Sequence, residues 1–437
     1  MKVSEFNLLC PSFVDGVYLA YNTLSGAFLT LDAADFELTA LILEAVAAGD
    51  PITGFEPRLV VALRRGGFLV NAAVDERAEV RRRYREGRAR TRGVSLTIAP
   101  TLSCNFACTY CFQEHPKRHM GEAEIDRIVR HVEANLEPET ALSTRLRAHC
   151  EAIGASYSHS MITNGSLLGD GRIDDLVALG GFRYLQVTLD GPPEVHDRRR
   201  LSVVGGPTFD RILANVARAS ERLRIILRVN VDRSNADRLE GLVDRLVDLD
   251  LQRRVSVYLG HTLPYTDVCA GVGDVALSRE EFAALQTRFK FYLLTRGFRG
   301  VSGLPRPRAG GICVADHPGG AVLAPDDLVF RCWNEVAMTD EHASGRLDGE
   351  ASASMLANNA GWDSFDPFFH TPCKTCRVQP LCTGGCPWES RKQGPEETGD
   401  CTPLRFNLAD ELRIYHLERS IHRSLPEAFE ESELPCQ

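Results

Sequence analysis

Three cysteines within eight residues, Cys104-x3-Cys108-x2-Cys111, follow directly on a strand-like run at residues 94–100. Three thiolates this close can hold three irons of a [4Fe–4S] cubane and leave the fourth iron without a protein ligand. An open iron can bind a small chelating molecule. A low-potential cluster donates one electron, and S-adenosylmethionine is the cofactor whose C–S bond such an electron breaks, yielding a carbon radical able to take hydrogen from an unactivated carbon. Zinc fits the spacing less well, because zinc sites close with paired CxxC or CxxC/HxxxH ligands.

A second group of thiols lies toward the C-terminus. Cys373-x2-Cys376-x5-Cys382-x3-Cys386-x14-Cys401 is preceded by Cys313 and Cys332. Seven cysteines exceed the four that a zinc ribbon needs. The N-terminal MKVSEFNLLCPSF has no signal-peptide core or cleavage site, and no run approaches the ~18 apolar residues of a membrane span. These features predict a cytoplasmic protein with no membrane association. In that reducing compartment the fourteen cysteines point to metal ligation rather than a disulfide framework. Cys10, Cys150, Cys269 and Cys436 are scattered and read as buried apolar side chains or bystanders. The net charge of −9 argues against a nucleic-acid partner. The local arginine run from Arg77 to Arg92 reads as a solvated helical linker, with contact to an acidic peptide as the alternative.

The elements that must position these residues follow from periodicity. Residues 17–23 and 26–32 are strand-like around the turn at Leu24-Ser25. A helix over 36–49 ends at Gly49, and 57–70 predicts a second helix, a Gly-Gly break and a short strand. This order suits a winged-helix-like module over residues 1–72, followed by the Arg-rich linker at 73–93. From 94 to 262 strands at 94–100, 156–163, 182–190, 223–232 and 253–260 alternate with helices such as 122–136 and 209–223, which predicts an α/β fold with a parallel sheet. Chemistry gathers at the carboxyl ends of such strands. A helical bridge spans 263–310 with a helix at 279–294. Residues 311–405 form a Cys-rich lobe organised by metal, and 406–437 a C-terminal helix and tail.

The NFACTYCF run with its Cx3Cx2C spacing resembles the radical S-adenosylmethionine superfamily, and Tyr110 before the last cysteine matches as well. The resemblance implies a partial (β/α)6 TIM-like barrel. Met161-Ile162-Thr163-Asn164-Gly165 resembles the family strand ending in Thr-Asn-Gly. Leu185–Gly191 with Glu194, His196, Asp197, Arg199 and Arg200 looks like the LDG…HDxxR segment of the peptide-modifying branch, and Leu227-Arg228-Val229-Asn230 like the fifth-strand segment. By this resemblance Tyr110, Thr163, Asn164, Arg228 and Asn230 help to hold the cofactor. The family's Gly-Gly-Glu-Pro segment has no full counterpart: the helix to Leu136 runs into Glu137-Pro138-Glu139-Thr140, with 52 residues between Cys111 and Asn164. Glu137 is the candidate remnant. Asp190 is either a pocket base or peptide contact, or an ordinary Asp-Gly turn residue, while His196, Arg199 and Arg200 are expected to fix their loop through ion pairs.

The C-terminal thiols resemble a SPASM domain with two auxiliary [4Fe–4S] clusters, one on Cys373, Cys376, Cys382 and Cys401. The other would use Cys313, Cys332 and Cys386, with Cys269, another residue or the substrate as fourth ligand. Asp327 stands where that family usually has Gly. The N-terminal module resembles an element that captures the leader of ribosomally made precursor peptides by adding it to a sheet edge. The resemblance therefore implies a peptide maturase that installs a thioether, C–C or C–O cross-link, fed by a flavodoxin- or ferredoxin-type electron donor. Alternatives are a sulfatase-maturing, formylglycine-forming enzyme and, given the absent Gly-Gly-Glu-Pro, a non-catalytic iron–sulfur or electron-transfer protein.

Overall fold

The structure is a computed structural model describing residues 1–90, 95–124, 127–128, 158–310, 313–336, 340–397 and 401–423. Glu137, and most of the helix expected at 122–136, lie outside the described residues. The chain forms two compact units, one made of Met1–Arg90, Gly300–Ile312 and Asp366–Gln437, the other of Thr91–Arg299 and Cys313–Phe365.

In the first unit, β1 (Lys2–Val3), β2 (Asn7–Pro11), β3 (Tyr18–Asn22) and β4 (Phe28–Leu31) precede helices α1 (Ala33–Ala48) and α2 (Pro57–Arg65), then β5 (Leu69–Val70) and α3 (Glu76–Arg90). The expected hairpin is β3–β4, extended by β2 into a three-stranded antiparallel sheet. Asn22 secures its turn: the buried amide oxygen accepts from Leu24 and Ser25 N–H groups, while its NH2 donates to Ser4, Asn7 and Gly67. Asp32 caps α1 by accepting from Asp35 N–H, and Gly49 ends it at φ +84°, where a Cβ would be strained. Alternation along β3 serves both faces. Ala20 packs with Ile42, Val46, Leu59, Leu63 and Phe68, whereas Leu19 and Tyr21 pack with Val378, Leu381, Leu408 and Leu412. The arginine run is not solvated all round. Val80 and Tyr84, one helical turn apart on α3, are buried with Phe6, Leu24 and Phe368, while Arg82 on α3 pairs with Glu79 and Glu86.

The second unit holds β6 (Ser95–Ile98), β7 (Phe106–Cys108), β8 (His159–Thr163), α4 (Asp170–Leu179), β9 (Phe182–Thr188), α5 (Pro193–Arg199) and β10 (Arg200–Ser202). These are followed by α6 (Phe209–Ala219), β11 (Ile225–Val231), α7 (Leu239–Asp248), β12 (Val255–His261) and α8 (Arg279–Thr295). The strands β8, β9, β11 and β12 form one parallel sheet in that order. Its two faces differ. Leu185, Val187, Leu227, Val229 and Val231 have no exposed surface. The alternate positions Gln186, Thr188, Arg228, Asn230 and Tyr258 are polar and face the other way. One face thus builds the core, and the other lines a polar interior.

After α8, β13 (Gly320–Leu323), β14 (Leu328–Phe330) and β15 (Gly345–Arg346) form an antiparallel sheet, and β6 joins it parallel to β13. The β13–β14 turn holds Asp326 at φ 75° and Asp327 at φ 62°. Asp tolerates this left-handed conformation better than most residues, so the side chain standing where the resembled family has Gly is accommodated. Val322 pairs with Phe330, and continuing that register sets Gly320 across from Cys332. A Cβ on Gly320 would lie 1.9 Å from the Val314 carbonyl oxygen. The hairpin therefore brings Cys313, next to Val314, toward the end that carries Cys332. Gly320→Ala should force this backbone contact apart and destabilise the protein by about 1–3 kcal/mol, visible as a lower Tm in thermal melting, whereas an unchanged Tm would contradict the packing described.

Candidate active site

The Cys104–Cys111 loop buries one large apolar side chain, Phe106, and hydrogen bonds to the sheet fix the rest of it. Three sets of them do this. At the carboxyl end of β8, the Asn105 amide accepts from Asn164 Nδ2 at 2.8 Å and donates to Ser166 Oγ at 3.0 Å. Gly165, at φ +78°, makes that turn, and a Cβ there would meet Val187 at 2.8 Å. Next, β7 pairs antiparallel with β10, matching Cys108 to Arg200 and Phe106 to Ser202, while Thr109 N–H donates to the Arg199 carbonyl. Third, Tyr110 reaches the ends of β9 and β11.

Tyr110 and Asp190 form the centre of that third set. Tyr110 Oη donates to Asp190 Oδ2 at 2.5 Å and accepts from Arg200 Nη1 at 2.6 Å and Asn230 Nδ2 at 3.1 Å. Burial pushes the Tyr110 hydroxyl well above the ordinary tyrosine pKa, which keeps it a donor. The other Asp190 oxygen accepts from the Asn230 N–H at 2.9 Å, and Asn235 Nδ2 donates to the Asp190 carbonyl at 2.7 Å. Asp190 has 0% exposure. Both its carboxylate oxygens are engaged in holding β9, β11 and the thiol loop, a setting unlike an open pocket base. His196 closes the turn: its Nδ1 accepts from Asp190 N–H at 3.3 Å, and burial pushes its pKa down to about 3.

Arg199 and Asp232 make a buried ion pair at 2.7 Å, joined by Ser234, so Arg199 fixes its loop as expected. Arg228, by contrast, lies on the polar face. Its Nε donates to Asn230 Oδ1 at 2.7 Å, and Tyr258 continues the chain to Gln186. Gly260 makes room for it, since a Cβ there would sit 2.6 Å from Arg228 Nε. Thr163 Oγ1 accepts from Gly165 N–H. The structure thus gathers Tyr110, Asp190, Asn230 and Arg228 in one network, and Asn164 in a neighbouring one. Asn105 and Asn235 were not singled out from sequence. A polar residue inside the cysteine loop was the available signal for Asn105; Asn235 had none.

The thiols suit iron rather than free reactivity. Burial pushes Cys108 up to about 11 and also raises Cys111, and Cys104, Cys108 and Cys111 act electrostatically on one another. Such thiols stay protonated until a metal displaces the proton. Among the described residues no three Cys, His, Asp or Glu converge as a single ion requires; a cubane spreads its thiolates over separate irons. Cys269 is buried, with 4% exposed, and Thr266 of its segment donates to the Phe112 carbonyl just after the first loop. In the first unit, Cys376, Cys382 and Cys401 all raise the pKa of Cys373, after burial, to about 11. Arg405 Nη1 donates to Cys401 Sγ at 3.0 Å. Those four thiols thus lie within electrostatic reach of one another. Cys313 and Cys332 belong to the second unit and Cys386 to the first.

Residues 98–246 match the family model of the Radical SAM superfamily. The serine-type anaerobic sulfatase-maturating enzymes of Klebsiella aerogenes and Klebsiella pneumoniae are 25% and 24% identical over 325 residues, 65% of this chain and 77% and 79% of theirs. The solved structure of native anSMEcpe with bound AdoMet superposes with a TM-score of 0.55 at 17% identity, covering 75% of this chain and 100% of that one. The parallel sheet and its thiol loop therefore define a radical SAM fold. Residues 98–246 therefore carry a radical SAM domain, the domain of a superfamily of enzymes that work with a [4Fe–4S] cluster and S-adenosylmethionine. No helix among the described residues is long and apolar enough to cross a membrane.

Two histidines, the buried His196 and the half-buried His261, make stability depend on pH. Burial pushes His196 to about 3 and His261 to about 4. Below an unfolded value of about 6.5 the unfolded chain takes up protons that these native imidazoles refuse. Their contribution is intact above that pH and is lost as pH falls, with a slope of up to about 1.4 kcal/mol per unit for each group. Tm should drop between pH 6.5 and 5, before carboxylates titrate. His196→Gln should flatten that slope, and an equal slope in the variant would refute the assignment.

Proposed function

We propose that the protein is a radical SAM peptide maturase that takes a hydrogen atom from a carbon of a ribosomally made precursor peptide and installs a thioether, C–C or C–O cross-link. The observation that carries this reading is the attachment of the Cys104–Cys111 loop to the carboxyl ends of β8, β9 and β11, beside a polar sheet face. Cys104, Cys108 and Cys111 would ligate three irons of one [4Fe–4S] cluster, with Tyr110, Thr163, Asn164, Arg228 and Asn230 shaping the cofactor pocket. When bound, the cluster and S-adenosylmethionine supply a 5′-deoxyadenosyl radical. Asp190, in this reading, holds the thiol loop against the sheet. Cys373, Cys376, Cys382 and Cys401 would hold one auxiliary cluster and Cys313 and Cys332 contribute to another. The removed electron would leave through an auxiliary centre, and a flavodoxin- or ferredoxin-type donor would deliver the electron for radical formation. Thiol-bound clusters favour the reducing cytoplasm.

The three-stranded sheet of residues 7–31 supports leader capture, because β2 and β4 each pair only with β3 among the described residues and so offer edges for an added strand. A structure of anSMEcpe with bound AdoMet and the Kp18Cys peptide shows that enzyme binding a peptide. The sulfatase-maturating names of the curated relatives favour a second reading, oxidation of a peptide Ser to formylglycine.

Both readings require 5′-deoxyadenosine from the reconstituted enzyme with dithionite and S-adenosylmethionine, and Cys108→Ala should lower its release at least about 100-fold. Equal release by the variant would overturn both. Offered the short peptides encoded beside the gene and a sulfatase-type Ser peptide, the enzyme should convert one of the former to a product lighter by two hydrogens that resists hydrazide labelling. A hydrazide-reactive product from the Ser peptide alone would select formylglycine formation instead.

A further inference from the structure

Arg200 is a buried cation placed against a cluster cysteine. In the antiparallel β7–β10 ribbon it stands directly across from Cys108. Opposed residues in such a pair share a face with their Cβ atoms about 4.5–5.5 Å apart. Its guanidinium lies 5.4 Å from the centre of the Phe106 ring and donates through Nη1 to Tyr110 Oη at 2.6 Å. Only 7% of the residue is exposed. The nearest anion in its network, Asp190, is reached through the Tyr110 hydroxyl, and no direct ion pair to Arg200 exists among the described residues. Its buried Nε–H finds no acceptor among the described residues.

A buried charge and an unmade buried hydrogen bond are both costly. An acceptor is therefore missing from this side of the ribbon. The acceptor that the register brings nearest is sulfur, carrying negative charge once Cys108 ligates iron. Hydrogen bonds to sulfur and nearby positive charge stabilise the more negative, reduced state of an iron–sulfur centre and raise its potential.

We propose that Arg200 sets the reduction potential of the cluster on Cys104, Cys108 and Cys111 by directing its buried charge and unpaired N–H toward the Cys108 sulfur. The inference rests on the assignment of that cluster made above. Arg200 is a positioning residue here: it acts on the ease of reduction and does not touch the peptide. Burial opposes its charge, but Tyr110, Asp190 and Cys108 outweigh that effect and hold its pKa above the ordinary arginine value. The charge persists at every working pH.

The test is a redox titration of the reconstituted full-length protein, followed by electron paramagnetic resonance. The relevant signal is the one missing from a Cys104→Ala/Cys108→Ala/Cys111→Ala variant. Arg200→Gln, which removes the charge, should lower the ratio of reduced to oxidised cluster at a fixed poise about tenfold, a shift of 59 mV to more negative potential for one electron. Arg200→Lys, which keeps a charge, should recover most of the shift at full iron content. If the triple variant keeps every signal, the cluster assignment fails and this inference with it. If the signal is present and Arg200→Gln titrates like the wild type, the inference alone fails. Should Arg200→Gln lose iron, Arg200→Met, which keeps an apolar contact for Phe106, takes its place. Loss of iron from Gln, Met and Lys variants alike would show a purely structural role and overturn the inference.

Discussion

The hydrogen bond from Tyr110 to the buried Asp190 is the constraint on which the site depends. Burial of Phe106 anchors the thiol loop but does not by itself orient its polar groups. They are oriented because one half-buried hydroxyl donates to a carboxylate at the end of β9 and accepts from Arg200 and from Asn230 of β11. In a low-dielectric interior each of these bonds is strengthened by the others, and each would be expensive to leave unmade. Arg199 faces Asp232 directly, whereas Arg200 reaches Asp190 only through the tyrosine. The same network that fixes the geometry thus fixes the electrostatics around Cys108.

The sheet makes this arrangement possible by keeping its faces distinct. Positions such as Leu185, Val187, Leu227 and Val229 are sealed in the core, so the register cannot slip by one residue without exposing them. With the register fixed, Gln186, Arg228, Asn230 and Tyr258 are committed to the opposite, polar side. Gly260 completes it by leaving the space that the Arg228 guanidinium occupies. Core packing therefore orients side chains that do not themselves contribute to the core. In the first unit the same period of two works differently. There β3 buries both faces, one against α1 and α2 and the other against the C-terminal segment, which ties residues 1–90 and 366–423 into one body.

Most strands and helices of the described residues were legible from the sequence because their signals are local. Alternation marked β9 and β11, helical spacing marked α6 and α8, and Gly49 marked the end of α1. The cysteine spacing announced the metal chemistry for the same reason, since ligand spacing along a loop is a short-range property. The two-residue β1 carried too few residues for a period to register, and β2, Asn-Leu-Leu-Cys-Pro, has no alternation and ends in proline. The arginine-rich α3 hid its two buried side chains among many charges, and only the tertiary partners Phe6, Leu24 and Phe368 show why Val80 and Tyr84 are there.

By itself, then, the sequence determined the element types, the alternation that demands a parallel sheet, and the thiol sets able to hold iron. Tertiary structure alone decided what stands beside those thiols. Asp190 and Tyr110 are 80 positions apart, and Arg200 and Cys108 are 92 apart. No local pattern couples residues at such separations. Strand register and crossover connections do, and those are chosen by burial summed over the whole unit.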